Sequence, residues 1–195
     1  MCQTLALSAS LYLLLQDADD VIADGFGSRE CLHCGGPLHI ASYPRKPRGG
    51  PTGLPDSYLR RHSFCCGRCR RRLTPPSVRF LGRRVYLAAV VVLVSIGRHG
   101  LTGRRLAKLR RLLDDGKSTI CRATVERWRR WWRETFPTSS FWRARRGDFR
   151  HGVDEQEMPG SLLECFGGER DVGLLAMLRW LGPLTSGSTL GARAI

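Results

Sequence analysis

Two pairs of cysteines, each with the spacing C-x2-C, constrain the fold of this chain more than any other feature. The first pair is Cys31 and Cys34, and the second is Cys66 and Cys69. Four thiolates satisfy the tetrahedral coordination of a structural Zn²⁺, and two cysteines three positions apart reach two corners of one metal across a tight turn. The spacing therefore predicts one structural zinc site with these four cysteines as ligands.

The ligand assignment has one open alternative. Cys65 precedes Cys66, so a C-x3-C pair of Cys65 with Cys69 is also compatible with the sequence. Cys66 is preferred because its two-residue gap matches that of the first pair. Three histidines in the same region are reserve ligands: His33, His39 and His62. Four protein ligands leave no open coordination position, so the predicted site is structural rather than catalytic.

The segment 31–73 has the pattern of a zinc ribbon. Strand candidates lie at 38–43 and 58–64, and the stretch between them is rich in proline and glycine, which excludes regular structure there. Gly35 follows the first cysteine pair, and Gly67 lies within the second. We expect both glycines to allow the tight turns that direct backbone N–H groups towards the sulfurs.

Hydrophobic periodicity predicts helices in the rest of the chain. The apolar stretch 2–16 predicts a packing helix that ends at Asp17, Asp19 and Asp20, with a linker at 25–29. Further helices are predicted at 83–97, 104–113, 121–134 and 161–181. The run of valines at 90–92 also favours a strand, but the apolar stretch is long for one strand and begins with Leu87 and alanines. The chain is thus predicted to comprise segments 1–30, 31–78, 79–136 and 137–195.

Basic residues concentrate in the middle of the chain. The whole sequence has 32 lysines and arginines against 17 acidic residues, a net charge of +15. Residues 60–150 hold 25 basic and 5 acidic residues, a net charge of +20, and the remainder of the chain has a net charge of −5. Such a distribution predicts a localised surface that binds a polyanion.

The candidate helix 121–134 combines an apolar seam with a basic face. Cys121, Val125, Trp128 and Trp132 recur at helical spacing and are predicted to pack against the preceding helices. The basic face suits a DNA major groove, where Arg122 would meet base edges and the later arginines would meet phosphates. The candidate nucleic-acid contacts are Arg104, Arg105, Lys108, Arg111, Thr119, Arg122, Arg129, Arg130 and Arg133.

Together these features resemble a known family. The matching residues are Cys31-x2-Cys34-Gly, Cys66-x2-Cys69-Arg and Thr124-Val-x-Arg127-Trp128. Over residues 31–135 the chain resembles the amino-terminal DNA-binding part of bacterial insertion-sequence transposases. That resemblance implies a zinc ribbon followed by a helix-turn-helix that recognises element ends. The chain departs from the family in two ways. The stretch at 114–119 is longer than the turn of a standard helix-turn-helix, and the sequence after it leaves no room for the acidic ribonuclease-H-like catalytic domain that the family would predict there.

The sequence therefore predicts a mainly α chain with a small β zinc ribbon, followed by a helix-turn-helix-like helical domain. We expect a non-enzymatic, zinc-containing protein of transposase ancestry whose partner is duplex DNA, with a transposase or other protein as a further partner left open. No membrane span or signal peptide is recognisable, so we expect a cytoplasmic, nucleoid-associated protein.

Three alternatives stay open. The first is a zinc-ribbon module that binds RNA or the ribosome, in which tryptophans would stack on bases. The second is an adaptor whose basic face meets an acidic protein. The third is a two-metal enzyme using the acidic residues at 148–171. These residues are crowded into 24 positions without strand patterning, which is more typical of an acidic surface than of a two-metal site.

Overall fold

The computed structural model describes residues 9–45, 49–50, 54–81, 86–96, 102–104, 107 and 120–186. This part of the chain is mainly helical, with two small antiparallel sheets in the cysteine-containing segment. The predicted class, mainly α with a small β portion, is therefore confirmed at that level. None of the helices in these ranges is long and apolar enough to cross a membrane.

The first helix, α1 (Ala9–Gly27), packs one face against the core through Leu11, Tyr12 and Leu15. The prediction that acidic residues end it near position 20 is wrong. Asp19 is 1% exposed and forms an ion pair with Arg79, so this carboxylate lies on the buried face and the helix continues to Gly27. Most of the predicted linker at 25–29 is consequently helical.

The cysteine-containing segment 31–78, here called the ribbon, contains five short strands in two sheets. They are β1 (Leu38–Ile40), β2 (Tyr43–Pro44), β3 (Arg60–Arg61), β4 (Phe64–Cys66) and β5 (Arg72–Leu73). One sheet has the order β1-β4-β5 and the other pairs β2 with β3, all antiparallel. Each range predicted as one strand, 38–43 and 58–64, contains parts of two short strands, and β2 and β4 extend beyond the ranges to Pro44 and Cys66. A 3₁₀ turn (Asp56–Leu59) occupies the start of the second range, and β5 was not predicted.

Helix α2 (Ala88–Ser95) is buried along its whole length. Its three consecutive valines favour a strand by propensity, yet the segment is helical. A helix satisfies its own backbone hydrogen bonds and can be buried on all sides, whereas a buried strand needs neighbouring strands on both edges. The helix predicted at 83–97 is confirmed over 88–95.

Helix α3 (Arg122–Arg130) continues into a π-helical turn (Trp131–Thr135), as predicted for 121–134. Val125, Trp128 and Trp132 are fully buried, so three members of the predicted seam are correct. Cys121 is exposed because it precedes the helix with an extended backbone, and Ile120 is buried next to it instead.

The carboxyl-terminal part contains α4 (Ser140–Arg145), α5 (Gly160–Glu164) and α6 (Arg170–Trp180), with 3₁₀ turns at Arg146–Asp148, Glu155–Glu157 and Gly182–Thr185. Helices cover much of the predicted range 161–181, as two helices rather than one, because Gly167 and Gly168 adopt positive φ angles of 58° and 73° and separate α5 from α6. The helix predicted at 104–113 lies largely outside the described residues, of which Gly103, Arg104 and Ala107 are helical.

One hydrophobic cluster joins these elements. It includes Leu15 of α1, Tyr58 of the ribbon, Val90 of α2, Trp128 of α3 and Leu178 of α6. All four predicted segments therefore contribute to a common core, and the exact boundaries between them stay a prediction. A smaller cluster beside the strands contains Cys31, Cys66 and Leu73.

Candidate metal centre

The four predicted cysteines converge at one point of the ribbon. All four Sγ atoms lie within 4.8 Å of one another. Cys31 and Cys69 have their sulfurs 3.7 Å apart, and those of Cys34 and Cys66 are 3.4 Å apart. A tetrahedral metal with bonds of about 2.3 Å to sulfur requires sulfurs about 3.8 Å apart, whereas a disulfide is about 2.05 Å long. The arrangement therefore fits a metal ion rather than a disulfide.

The first cysteine pair lies on a tight turn, here called knuckle 1 (Cys31–Gly36). The carbonyl of Cys31 accepts hydrogen bonds from the N–H groups of Cys34 at 3.2 Å and Gly35 at 2.8 Å, and the N–H of Cys31 donates to the carbonyl of Gly36 at 2.9 Å. Gly35 has a φ of +66°, in the left-handed region that glycine adopts without steric cost. The prediction for Gly35 is thus confirmed.

The second pair lies on knuckle 2 (Cys66–Arg71), which repeats the same turn. The carbonyl of Cys66 accepts from the N–H of Arg70, and the N–H of Cys66 donates to the carbonyl of Arg71, both at 3.0 Å. The left-handed residue is Arg70, with a φ of +60°. The prediction that Gly67 makes this turn is wrong. A Cβ on Gly67 would lie 2.8 Å from Nε2 of His39, so this glycine permits close packing instead.

Gly36 lets the two knuckles approach each other. A Cβ at this position would lie 2.8 Å from the Cβ of Arg68 and 3.0 Å from the Sγ of Cys66. A side chain there would displace one of the sulfurs. Sequence reasoning missed this role, although the glycine pair directly after Cys34 is a visible signal for it.

The local electrostatics favour a metal-binding thiolate at Cys66. The backbone N–H of Cys69 donates to the Sγ of Cys66 at 3.4 Å. This hydrogen bond is the largest of several causes, with the backbone N–H of Arg68 and the thiols of Cys34 and Cys69, that lower the pKa of the Cys66 thiol to about 6 against the opposing effect of burial. The pKa of the neighbouring Cys69 thiol is raised to about 11, so Cys66 is the thiol of this pair that ionises first. Because the thiolate is the form that binds metal, the turn prepares this sulfur for coordination.

Cys65 and the three histidines stay outside the cluster. Cys65 precedes Cys66 on β4, so its side chain points to the opposite face of the sheet and lies 3.6 Å from the carbonyl of Arg70. His62 contacts Asp20 at 2.7 Å, and His33 contacts Arg71 at 2.9 Å. Within the described part of the chain, the four cysteines are the one group of side chains placed to bind a metal.

The predicted nucleic-acid contacts are placed only in part. Arg122, Arg130 and Arg133 are exposed on α3 and its π-helical turn, Arg129 is half-buried, and Arg104 is exposed. Four further candidates lie outside the described residues: Arg105, Lys108, Arg111 and Thr119. The structure thus places three of the predicted contacts, all exposed, on one continuous helical segment that also carries the exposed Arg127.

The tryptophans of this region are engaged in the core. Trp128 and Trp132 are fully buried, and Trp142 is 2% exposed with its Nε1 donating to Glu155 at 2.7 Å. Trp131 is half-buried with its ring 4.8 Å from that of Trp132. The π-helical turn places the rings of Trp131 and Trp132 against Phe136. This packing accounts for the π-helical turn, which the sequence pattern did not predict.

Three of the acidic residues considered for catalysis, Asp148, Asp154 and Glu155, make structural side-chain contacts. Asp148 accepts a hydrogen bond from Trp180 and pairs with Arg145, and the side chain of Asp154 caps a 3₁₀ turn.

Comparisons of the chain with models of protein families, with curated proteins and with solved structures found no match. The chemistry of the site is therefore inferred from its own residues, of which the four converging thiols are the most specific.

Proposed function

We propose that this chain is a zinc-containing protein that binds duplex DNA through the basic face of α3 and the arginines around it. The basic face is defined here as Arg122, Arg130 and Arg133. A transposase-related origin, with a helix-turn-helix that recognises element ends, is part of the same proposal. The observation that carries it is a helix with faces of contrasting chemistry that packs against α2, in a chain that also has a four-thiol site.

Zinc is the metal that this donor set favours. Four cysteine sulfurs within 4.8 Å of one another, with two pairs 3.4 Å and 3.7 Å apart, suit a tetrahedral site. Soft thiolates select zinc over oxygen-preferring cations such as Mg²⁺ or Ca²⁺. When bound, zinc would supply folding free energy rather than a reactive centre, because four protein ligands complete its coordination. The cysteines then hold the two knuckles together.

The support for DNA comes from the contrast between the two faces of α3. Val125, Trp128 and Trp132 are fully buried, whereas the basic face is exposed to solvent. A helix that is anchored by one face and covered with arginine on the other fits the major groove, in which phosphates attract arginine and guanine edges accept its hydrogen bonds. We propose that Arg122 meets bases and that Arg130 and Arg133 meet phosphates.

The ion pair of Arg122 with Glu126 is compatible with this role. The two side chains are 2.7 Å apart and are 67% and 52% exposed. Exposed pairs of this kind contribute little stability, so Arg122 can exchange Glu126 for a ligand at small cost.

Burial of the tryptophans favours a duplex over single-stranded nucleic acid. Binding of single strands depends on aromatic rings that are accessible for base stacking. Trp128, Trp132 and Trp142 are buried in the core and are unavailable for that purpose. Of the tryptophans between positions 128 and 142, Trp131 is half-buried and keeps the RNA-binding alternative open, so structured RNA is a necessary control.

Binding titrations of variants test the proposal. The zinc-loaded full chain is titrated with a labelled DNA duplex at several salt concentrations, and with a structured RNA hairpin of equal charge. Arg130→Ala should weaken binding to all duplexes and lower the salt slope by about one unit, whereas Arg122→Ala should also relax sequence preference. Arg179→Ala, which removes an exposed arginine from α6 in the acidic part of the chain, is the matched control.

The outcomes separate the alternatives. Parent-like duplex binding by both Arg122→Ala and Arg130→Ala would overturn the role of α3. Stronger binding to the RNA hairpin than to the duplex would favour the RNA module. Absence of binding to either nucleic acid, with capture of an acidic protein that survives nuclease treatment, would favour the adaptor.

A further inference from the structure

The two knuckles are built by the same hydrogen bonds but differ at one residue. In each, the first cysteine accepts from the N–H four positions later and donates to the carbonyl five positions later. The residue directly after the second cysteine is left-handed in both, with φ angles of +66° at Gly35 and +60° at Arg70. Knuckle 1 has the residue that this backbone favours, and knuckle 2 has an arginine.

Arginine at this position is unfavourable for the turn itself. A side chain with a Cβ is strained in the left-handed region, and glycine relieves that strain without changing the fold, as Gly35 shows. Arg70 is exposed, so packing does not explain its presence. Strained residues are concentrated at functional sites, and an observed outlier of this kind indicates that its side chain has a task beyond structure.

Arg70 belongs to a group of exposed arginines around Cys69. The group, here called the knuckle arginines, consists of Arg68, Arg70, Arg71 and Arg72. None of the ion pairs seen in the described part of the chain includes any of the four. No carboxylate in those ion pairs offsets the charge of the four arginines. Four positive charges therefore lie within five consecutive positions.

Three of these side chains are held in place by contacts across the ribbon. Arg68 donates to the carbonyl of Cys34 at 3.1 Å, and Arg71 contacts Nδ1 of His33 at 2.9 Å, so both connect knuckle 2 to knuckle 1. Arg72 donates to the carbonyl of Ala41 at 3.4 Å. Each guanidinium has further N–H groups for an external acceptor, and a preorganised guanidinium loses less entropy when it binds phosphate.

We propose that the knuckle arginines are a second contact surface for the phosphates of duplex DNA, separate from α3. This inference rests on the proposed function, which supplies the duplex as the polyanion. Arginine favours phosphate because its planar guanidinium donates two parallel hydrogen bonds. Since Arg68 and Arg71 connect the two knuckles, the surface depends on the metal that holds the knuckles together.

Arg70→Gly is the most informative variant because it removes the charge and the backbone strain together. The zinc-loaded full chain carrying this change is titrated with a random-sequence DNA duplex of about 30 base pairs. We expect one zinc per chain, a thermal midpoint equal to or above that of the parent, and duplex affinity that falls about fivefold to tenfold at 0.1 M salt. The salt slope should fall by about one unit.

Two further variants complete the test. Arg70→Lys keeps the charge and should retain most of the affinity, whereas Arg68→Gln combined with Arg71→Gln should lower the salt slope by about two units. Arg179→Gln should leave the slope unchanged. Parent-like affinity and slope in Arg70→Gly and in the double variant would overturn the inference.

Failure of the inference is distinguishable from failure of the proposed function. If Arg130→Ala weakens duplex binding and the knuckle variants do not, α3 binds DNA alone and only the second surface is lost. If the parent chain does not bind the duplex at any salt concentration, both proposals are overturned. If the knuckle variants lose RNA binding rather than duplex binding, the surface recognises RNA and the inference is overturned as stated.

Discussion

Replacing Asp19 with asparagine should destabilise the fold strongly, because it breaks a buried ion pair. The side chains of Asp19 and Arg79 are 1% and 0% exposed and lie 2.9 Å apart. Oδ2 of Asp19 accepts from Ser77 and Arg79, and Oδ1 accepts from the N–H of Val78. An amide retains one acceptor oxygen and directs N–H groups at two donors, which leaves the buried guanidinium without its counter-charge.

Removal of one partner from a buried pair costs about 3–5 kcal/mol. Whole domains are stable by about 5–15 kcal/mol, so the loss should be a large share of the total. With a urea m-value of about 2 kcal/mol/M, the unfolding midpoint should fall by about 1.5–2.5 M. Arg79 also donates to the carbonyls of Tyr58 and Arg60 in the ribbon, so the variant should weaken the attachment of α1 to the ribbon.

Urea unfolding of the zinc-loaded chain, followed by circular dichroism, provides the measurement. Glu126→Gln breaks the exposed pair with Arg122 and is the matched control, with an expected change within about 0.5 kcal/mol. A double variant with Asp19→Leu and Arg79→Met should be less destabilised than Asp19→Asn, since it leaves no uncompensated charge. A loss below about 1 kcal/mol in Asp19→Asn would refute the reasoning.

Three further predictions concern the metal centre and the core. Cys66→Ser should lose bound zinc and unfold the ribbon, whereas Cys65→Ser should retain one zinc per chain; elemental analysis distinguishes them, and the opposite result would reassign the ligand. Gly36→Ala should weaken zinc affinity in competition with a chelator, because its Cβ would lie 3.0 Å from a ligand sulfur, and unchanged affinity would contradict the close approach of the knuckles. Trp128→Ala should cost about 3–5 kcal/mol in urea unfolding while zinc stays bound, and a smaller loss would argue against its burial in the core.

The cysteine cluster was predictable from the sequence because its information is local. Two cysteines with a two-residue gap specify a turn, and two such turns specify one site, so the preference for Cys66 over Cys65 agrees with the geometry of the cluster. The seam of Val125, Trp128 and Trp132 was predictable for a similar reason, since helical spacing alone indicates which residues are buried together.

Features that depend on distant partners were not predictable. Asp19 follows an apolar run and therefore looks like a residue that ends a helix. Its pairing with Arg79, 60 positions later, explains why the helix continues past it. Gly67 was expected to allow the second tight turn, but the residue with positive φ is Arg70, because the pattern does not show which residue of a C-x2-C turn is left-handed. The break between α5 and α6 was signalled by Gly167 and Gly168, but their backbone conformation decides whether two glycines end a helix.

The salt dependence of duplex binding by the parent chain tests the central claim most directly. The zinc-loaded full chain is titrated with a random-sequence duplex between about 0.05 and 0.3 M salt, and the logarithm of the affinity is plotted against that of the salt concentration. Each neutralised phosphate contributes about −0.9 to the slope. Two phosphate contacts from the basic face of α3, by Arg130 and Arg133, and four from the knuckle arginines together predict a slope of about −5. A slope near zero, or no duplex binding at the lowest salt concentration, would contradict the account.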